Sequence, residues 1–281
     1  MASAETPQAQ APLIVHMFWH GAALSRIERL CMASFIANGH PVHLHVYDEP
    51  AGVPRGVMMV DAENILPRRY LFKHAASGSF AIFADWFRYR LLYEQGGLWV
   101  DTDMVCLKTF DHQTQEIYAW QDERAINNAV LGLPRGHRLA EWMVRCCEHP
   151  NRILPYDPFK TRRRKLTRKF LPGDGRKRTK WGESGPSGLT LAAQHLDCAA
   201  QALPFWHFYP IHYLNWRAVF DTSLRENPNI VAGSYGLHLW NEMARQAPGF
   251  DRNAAFPRES LFERLCARYL RSDDSGTDSS R

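Results

Sequence analysis

The chain has no long hydrophobic run. Its most apolar stretches, such as LIVHMFW at 13–19, fall far short of the roughly 20 residues that a bilayer-spanning helix needs, so no spanning segment is expected. Residues 1–12, MASAETPQAQAP, lack both the basic start and the apolar centre of a secretory signal and read as a disordered leader. Cysteine is sparse: six residues without C-x-x-C spacing, in a chain of 281 that is long enough to need no covalent staples. Reduced thiols in a cytoplasmic protein are therefore expected. Apolar residues are almost missing from 272–281, which read as a disordered tail. Acidic residues are nearly missing from 160–180, where eleven Lys or Arg face Asp174 alone. The net charge of +5 thus hides a mildly acidic body with one cationic run. Like charges repel and extend a chain, so this run reads as a solvated, mobile loop inserted in the domain. It suits an anionic partner, which could be a membrane surface, a lipid-linked diphosphate or a nucleic acid. No aromatic residue interrupts it between Lys160 and Lys169, and no nucleic acid is expected.

What remains, 13–271, reads as one α/β domain. LIVHMFWHG is a short apolar segment closed by glycine, the pattern of a buried strand. LSRIERLCMASFIANG sets Leu24, Ile27, Leu30 and Phe35 at helical spacing and stops at Asn-Gly. PVHLHVYD alternates as a second strand, and VMMVDAENILP supplies a third with a turn. This β-α-β order favours a mostly parallel sheet with helices on its faces. The clearest helix is SFAIFADWFRYRLLYEQGG, with Ser79 as its N-cap and Gly96 and Gly97 ending it. Asp85 and Arg88, three apart, share one face of it. LWVDTDMVCL follows as a strand, then EIYAW, the helix HRLAEWMVRCCEH, a glycine-led helix in SGPSGLTLAAQHL, and strands in WHFYPI and SYGLHLW.

Asp101 and Asp103 stand two apart in the apolar run GGLWVDTDMV. On a strand they would project from the same side, and two carboxylates at close range in a poorly polar setting demand a cation. Mg²⁺ and Mn²⁺ characteristically take one or two carboxylates and fill their other positions with water and phosphate oxygens. Alternatively the strand ends at Val100 and both aspartates are solvated at a loop mouth.

The surrounding string DWFRYRLLYEQGGLWVDTD, 85–103, resembles the D-x-x-R-Y-x-x-L-Y-x-x-G-G-x-Y-x-D-x-D signature of DXD-containing glycosyltransferases. That family holds bacterial capsular and lipopolysaccharide transferases, α-1,4-galactosyl- and N-acetylglucosaminyltransferases and, more distantly, the clostridial glucosylating toxins. Matches fall at Asp85, Arg88, Tyr89, Leu92, Tyr93, Gly96, Gly97, Asp101 and Asp103, with Trp99 in the aromatic slot. IVHMFWHG resembles the family's opening strand and GSYGLHLWN its closing H-x-W segment. SGPSGLT and WQDERAINNAVLGLPRGH also have counterparts there, whereas the basic run has none.

The resemblance implies a GT-A fold, with a Rossmann-like, mostly parallel nucleotide-binding sheet in a single domain. It implies a retaining hexosyltransferase that uses a UDP-sugar and Mn²⁺ or Mg²⁺ and serves cell-surface polysaccharide synthesis, with a glycan or lipid-linked acceptor. It gives Trp19 the role of stacking on the base; otherwise Trp19 is a core aromatic. Asp85, Arg88 and Tyr89 would meet the sugar and diphosphate, although Asp85 and Arg88 also suit a plain i,i+3 ion pair. Asp101, Asp103 and His238 would hold the metal, with Trp240 beside the diphosphate and Asn241 in the same shell, although His238 also suits a donor to the leaving phosphate or a hydrogen-bonded core residue. The helix start at Gly185–Gly188 could aim free N–H groups at the phosphates. Asp122, Glu123 and Asn127 are candidates to steady the oxocarbenium face. The expected setting is bacterial and cytoplasmic, docked on the inner membrane by the basic run. The competing expectations are a toxin-like protein glycosyltransferase and a non-catalytic sugar- or metal-binding module.

Overall fold

A computed structural model describes residues 13–111, 114–227 and 229–270; the expected leader and tail lie outside the described residues. Its centre is a six-stranded sheet of β1 (Val15–Trp19), β2 (Val42–Val46), β3 (Val57–Asp61), β4 (Gly97–Val100), β6 (Ile117–Trp120) and β7 (Ile126–Leu133), ordered β3-β2-β1-β4-β7-β6. The first four run parallel, and β7 lies antiparallel to both β4 and β6. A second, two-stranded sheet joins β5 (Met104–Cys106) to β8 (Gly236–His238) antiparallel, with Met104 opposite His238.

Alternation along the strands divides the core between the two faces of the sheet. Val15 and Met17 of β1 and Leu98 and Val100 of β4 join one cluster, with α1 (Arg26–Ala37), α6 (Asn241–Gln246) and α7 (Leu261–Tyr269). Phe18 and Trp99 point the other way into a cluster built on α2 (Ala81–Gln95), α3 (Arg138–Glu148) and α5 (Pro186–His195). Trp99, Phe83 and Phe87 are almost wholly buried there, each worth at least about 1.5–3 kcal/mol in removed apolar surface. Ser25 starts α1, its N–H donating to Glu28 Oε2 at 2.8 Å in a capping box.

Gly96 ends α2 with φ +70°, a conformation that glycine tolerates, and a Cβ there would lie 2.5 Å from the Arg135 nitrogen. This abrupt stop turns the chain directly into β4. The expected cap of α2 shifts by one residue: Phe80 occupies the N-cap position, and Ser79 Oγ accepts from the Ala81 N–H at 3.1 Å.

Two expectations fail. WHFYPI is not a strand, because 205–207 form a 3-10 turn and bends follow at 210 and 211. The cationic run is not an unstructured loop: Phe159–Lys169 is a helix, α4, and a 3-10 turn follows at Gly175–Arg178. Partners outside the run make this possible. Lys165 Nζ reaches Asp157 Oδ2 at 2.8 Å with both side chains buried, and Arg168 reaches Glu183 through Nη1 at 3.0 Å and Nη2 at 3.1 Å.

β1 and β2 hide an acid-sensitive device. The rings of His16 and His45 meet at 3.1 Å from Nδ1 to Nε2, and His43 lies edge-on to His16. Burial, reinforced by the neighbouring imidazoles, holds His16 down at about 4 and His45 at about 3. Both folded values lie below the ordinary one, so the stability they carry is complete above pH 6.5 and is lost as pH falls through the folded values. Each ring kept neutral at pH 5 should cost about 2 kcal/mol relative to pH 7. Between pH 7 and pH 5 the stability read from urea unfolding should fall by about 2 kcal/mol less in His45→Gln than in the native protein. An equal change in the two proteins would refute the assignment.

Candidate active site

A cleft of about 520 Å³ opens where β1 and β4 end, and Trp19, Asp85, Asp101, Asp103, His238 and Trp240 all line it. β1 has β2 on one side and β4 on the other, so the crevice lies at the carboxyl edge of parallel strands where the strand order reverses, a recurrent ligand position in open α/β sheets.

Neither expected setting of the aspartate pair holds unaltered. β4 ends at Val100, and the Met104 N–H donates to the Asp101 carbonyl at 3.1 Å, closing a four-residue turn. Yet the pair is not freely solvated, since Asp103 is only 8 % exposed and Asp101 is half-buried. The antiparallel β5–β8 pairing brings His238 in from the far end of the chain. Its Nε2 lies 3.2 Å from Asp103 Oδ1, and the Asn241 N–H donates to Asp103 Oδ2 at 2.7 Å. Trp240, at φ +55°, occupies the left-handed conformation just before that amide and anchors its own indole N–H on the Ile211 carbonyl at 2.8 Å.

Arg88 is fully enclosed. It donates to Asp101 Oδ1 at 2.6 Å and to the Asn128 carbonyl, lies 3.7 Å from Asp85 Oδ1, and its guanidinium sits 5.0 Å from the Trp99 ring centre. Trp99 also donates to Asp101 Oδ1, at 2.8 Å. Asp85 accepts from Asn128 Nδ2 at 2.8 Å and Ser184 Oγ at 2.9 Å. Burial raises the Asp85 carboxyl despite Arg88 and these donors. Burial, with the Asp103 charge beside it, pushes Asp101 up to about 6 against the pull of Arg88. Burial acts upward on Asp103 too, but His238 and the Asn241 amide outweigh it and hold that carboxyl below its ordinary range.

These observations test whether a cation fits. One ligand atom each from Asp101, Asp103 and His238 lie within 4.8 Å of one another. The carboxylates of Asp85, Asp101 and Asp103 stand against the single guanidinium of Arg88, so a dication would balance the group. The buried Nδ1 of His238 has no hydrogen-bond partner among the described residues. Two hard oxygens and an imidazole nitrogen suit a divalent metal, and the three residues can hold one.

Other expected residues divide. Asn127 lines the cleft, its Nδ2 donating to Gln121 Oε1 at 2.7 Å. Asp122 and Glu123 line a neighbouring hollow instead, and Asp122 Oδ1 is occupied by the Arg124 and Ala125 amides. Tyr89, expected at the ligand, is wholly buried outside the cleft lining and braces the site from behind by donating to the Ser184 carbonyl at 2.8 Å. Gly185 and Pro186 start α5 at the cleft edge.

Sequence reasoning missed Asn128 and Ser184, which fix Asp85, and Glu28, which is fully buried and bonded to Asn241 Nδ2 at 3.0 Å and Arg252 Nη1 at 2.9 Å. Signals for two of them were present. Paired asparagines in the apolar run INNAVLGL, and an S-x-x-E spacing at Ser25 and Glu28, both mark polar groups with structural duties.

Residues 56–122 match the glycosyltransferase sugar-binding region containing the DXD motif, and 177–272 match the alpha 1,4-glycosyltransferase conserved region. Lactosylceramide 4-alpha-galactosyltransferase of Pongo pygmaeus is 27% identical over 67% of this chain and 78% of its own length. The Homo sapiens protein of the same name is 26% identical over 67% of this chain, and alpha-1,4-N-acetylglucosaminyltransferase of Homo sapiens is 25% identical over 71%. The chain spans about half of each human protein, 48% and 54%. The solved PaToxG glycosyltransferase aligns over 92% of this chain and 86% of its own at 13% identity, with a TM-score of 0.43. The D-x-D turn lies inside one matched region and the His238 segment inside the other, so both halves of the site fall where the chain is similar to glycosyltransferases.

Proposed function

We propose that the chain is a metal-dependent retaining hexosyltransferase that moves a sugar from a UDP-sugar to a glycan or lipid-linked acceptor in cell-surface polysaccharide synthesis. One observation carries the reading: Asp101, Asp103 and His238 converge at the floor of the cleft with an excess of negative charge. When bound there, a divalent ion supplies Lewis-acid neutralisation of the charge that develops on a departing diphosphate. Trp19 offers an aromatic surface at the end of β1 for a nucleobase. Asp85, held by Asn128 and Ser184, stands ready to accept from sugar hydroxyls, and Arg88 fixes the orientation of Asp101. Asn127 and Gln121 add polar groups along the same wall. In retaining transfer the leaving phosphate can itself take the acceptor proton, so the reading requires no separate protein base. Relatives named for lactosylceramide support an acceptor whose sugar is carried on a lipid.

Isothermal titration of UDP with Mn²⁺ and with a chelator tests the donor side. Binding should appear with Mn²⁺ and weaken at least about tenfold without it, and hydrolysis of a panel of UDP-hexoses should then identify the sugar. A folded protein that binds Mn²⁺ but never UDP would overturn the transferase reading in favour of a metal-binding module.

A further inference from the structure

Helix α4 turns two of its cations inward and leaves apolar side chains in water, the reverse of a solvated surface helix. Lys165 and Arg168 are buried against Asp157 and Glu183, and Arg168 also donates through Nε to Asn151 Oδ1 at 2.6 Å. The opposite face is apolar and open: Phe159 is 79% exposed, Leu166 46% and Phe170 83%. Spacings of seven and four residues set these three side chains in one stripe at 3.6 residues per turn. Arg162, Arg163 and Lys169 lie exposed on its flanks. Among the described residues, Lys160, Arg163 and Lys169 make no ion pair.

An apolar stripe of that kind needs a cover, and a rim of unpaired cations selects an anionic one. A nucleic acid would use the cations and leave the phenylalanines in water, whereas a lipid surface takes both: phosphate headgroups meet the rim while the stripe enters the acyl boundary. We infer that α4 is a docking helix for an anionic lipid bilayer, lying in the interface with Phe159, Leu166 and Phe170 inserted. The buried ion pairs are the reason the helix can present this face, because they bind it to the body through its polar side. Trp181, 42% exposed and following the basic run, lines both the hollow under α4 and the cleft itself. Docking therefore brings the cleft rim to the lipid surface, where a lipid-linked acceptor would present its sugar. Only that last consequence rests on the proposed transfer; the docking is read without any donor.

Flotation of the full chain with vesicles of phosphatidylcholine, alone or mixed with phosphatidylglycerol, tests it at physiological salt. The native protein should float with the mixed vesicles at least about tenfold more than with the neutral ones. Phe159→Ser/Phe170→Ser should lose about tenfold or more of that binding, and so should Lys160→Gln/Arg163→Gln/Lys169→Gln. All these positions are exposed, so circular dichroism and Mn²⁺-dependent UDP binding should stay unchanged. Absence of flotation by the native protein would overturn the proposal. Binding to duplex DNA as tight as to vesicles, and indifferent to the phenylalanine changes, would overturn it in favour of a nucleic-acid surface.

Discussion

Asp103→Asn should lower turnover of the UDP-sugar by about 10²–10³-fold, the scale seen when one preorganised electrostatic contact to a developing charge is removed, and should abolish Mn²⁺-dependent UDP binding. Asparagine keeps the size of the side chain and can still accept from the Asn241 amide, so the fold has little reason to respond. What disappears is one negative charge and one hard oxygen from the set formed with Asp101 and His238. Turnover and UDP titration should be read with a thermal scan in chelator, where native and variant should nearly coincide. Undiminished Mn²⁺-dependent UDP binding in the variant would mean that the aspartate pair does not hold the metal.

The largest loss of stability should come from a position away from the cleft. Asp157→Ala leaves Lys165, whose side chain is 5% exposed, without the carboxylate to which its ammonium donates at 3.1 and 2.8 Å. Breaking a buried pair from one side costs about 3–5 kcal/mol, or roughly 10 °C in Tm for a chain of this size. The double change Asp157→Ala/Lys165→Met should recover most of the loss, since it removes the stranded charge and fills its volume. Recovery will be incomplete because the Leu154 amide, which donates to Asp157 Oδ2 at 2.7 Å, also loses its acceptor. A cost below about 1 kcal/mol for the single change would show that Lys165 finds water or another partner.

Where local rules and the global fold agree, the sequence was readable. The strand–helix–strand start, the Asn-Gly stop of α1 and the glycine stop of α2 each follow from a few neighbouring side chains, and the structure keeps them. The aspartate pair was readable as chemistry but not as geometry. Whether those carboxylates face water depends on β8, more than 130 residues later, and no local pattern carries that information. α4 failed for a related reason: its stabilising anions, Asp157 and Glu183, lie outside the cationic run, so the run judged alone shows only repulsion. Tyr89 matched a motif position, yet it serves the site through Ser184 and Asn128 rather than by lining the cleft. A shared spacing records that a residue is needed without recording which atom it touches.

The strand order also bears on how the molecule comes into being. β1, β2 and β3 are complete by Asp61, but the other edge of β1 is satisfied only by β4, which begins at Gly97. During synthesis an apolar strand edge therefore waits for its neighbour while α2 is still emerging, a stage at which premature pairing between chains is a hazard. The carboxylates of the D-x-D turn are made soon afterwards, whereas His238 arrives 135 residues beyond Asp103. The centre is thus drawn from an early half and a late half of the chain, so the proposed ion site is complete only once β8 has paired with β5.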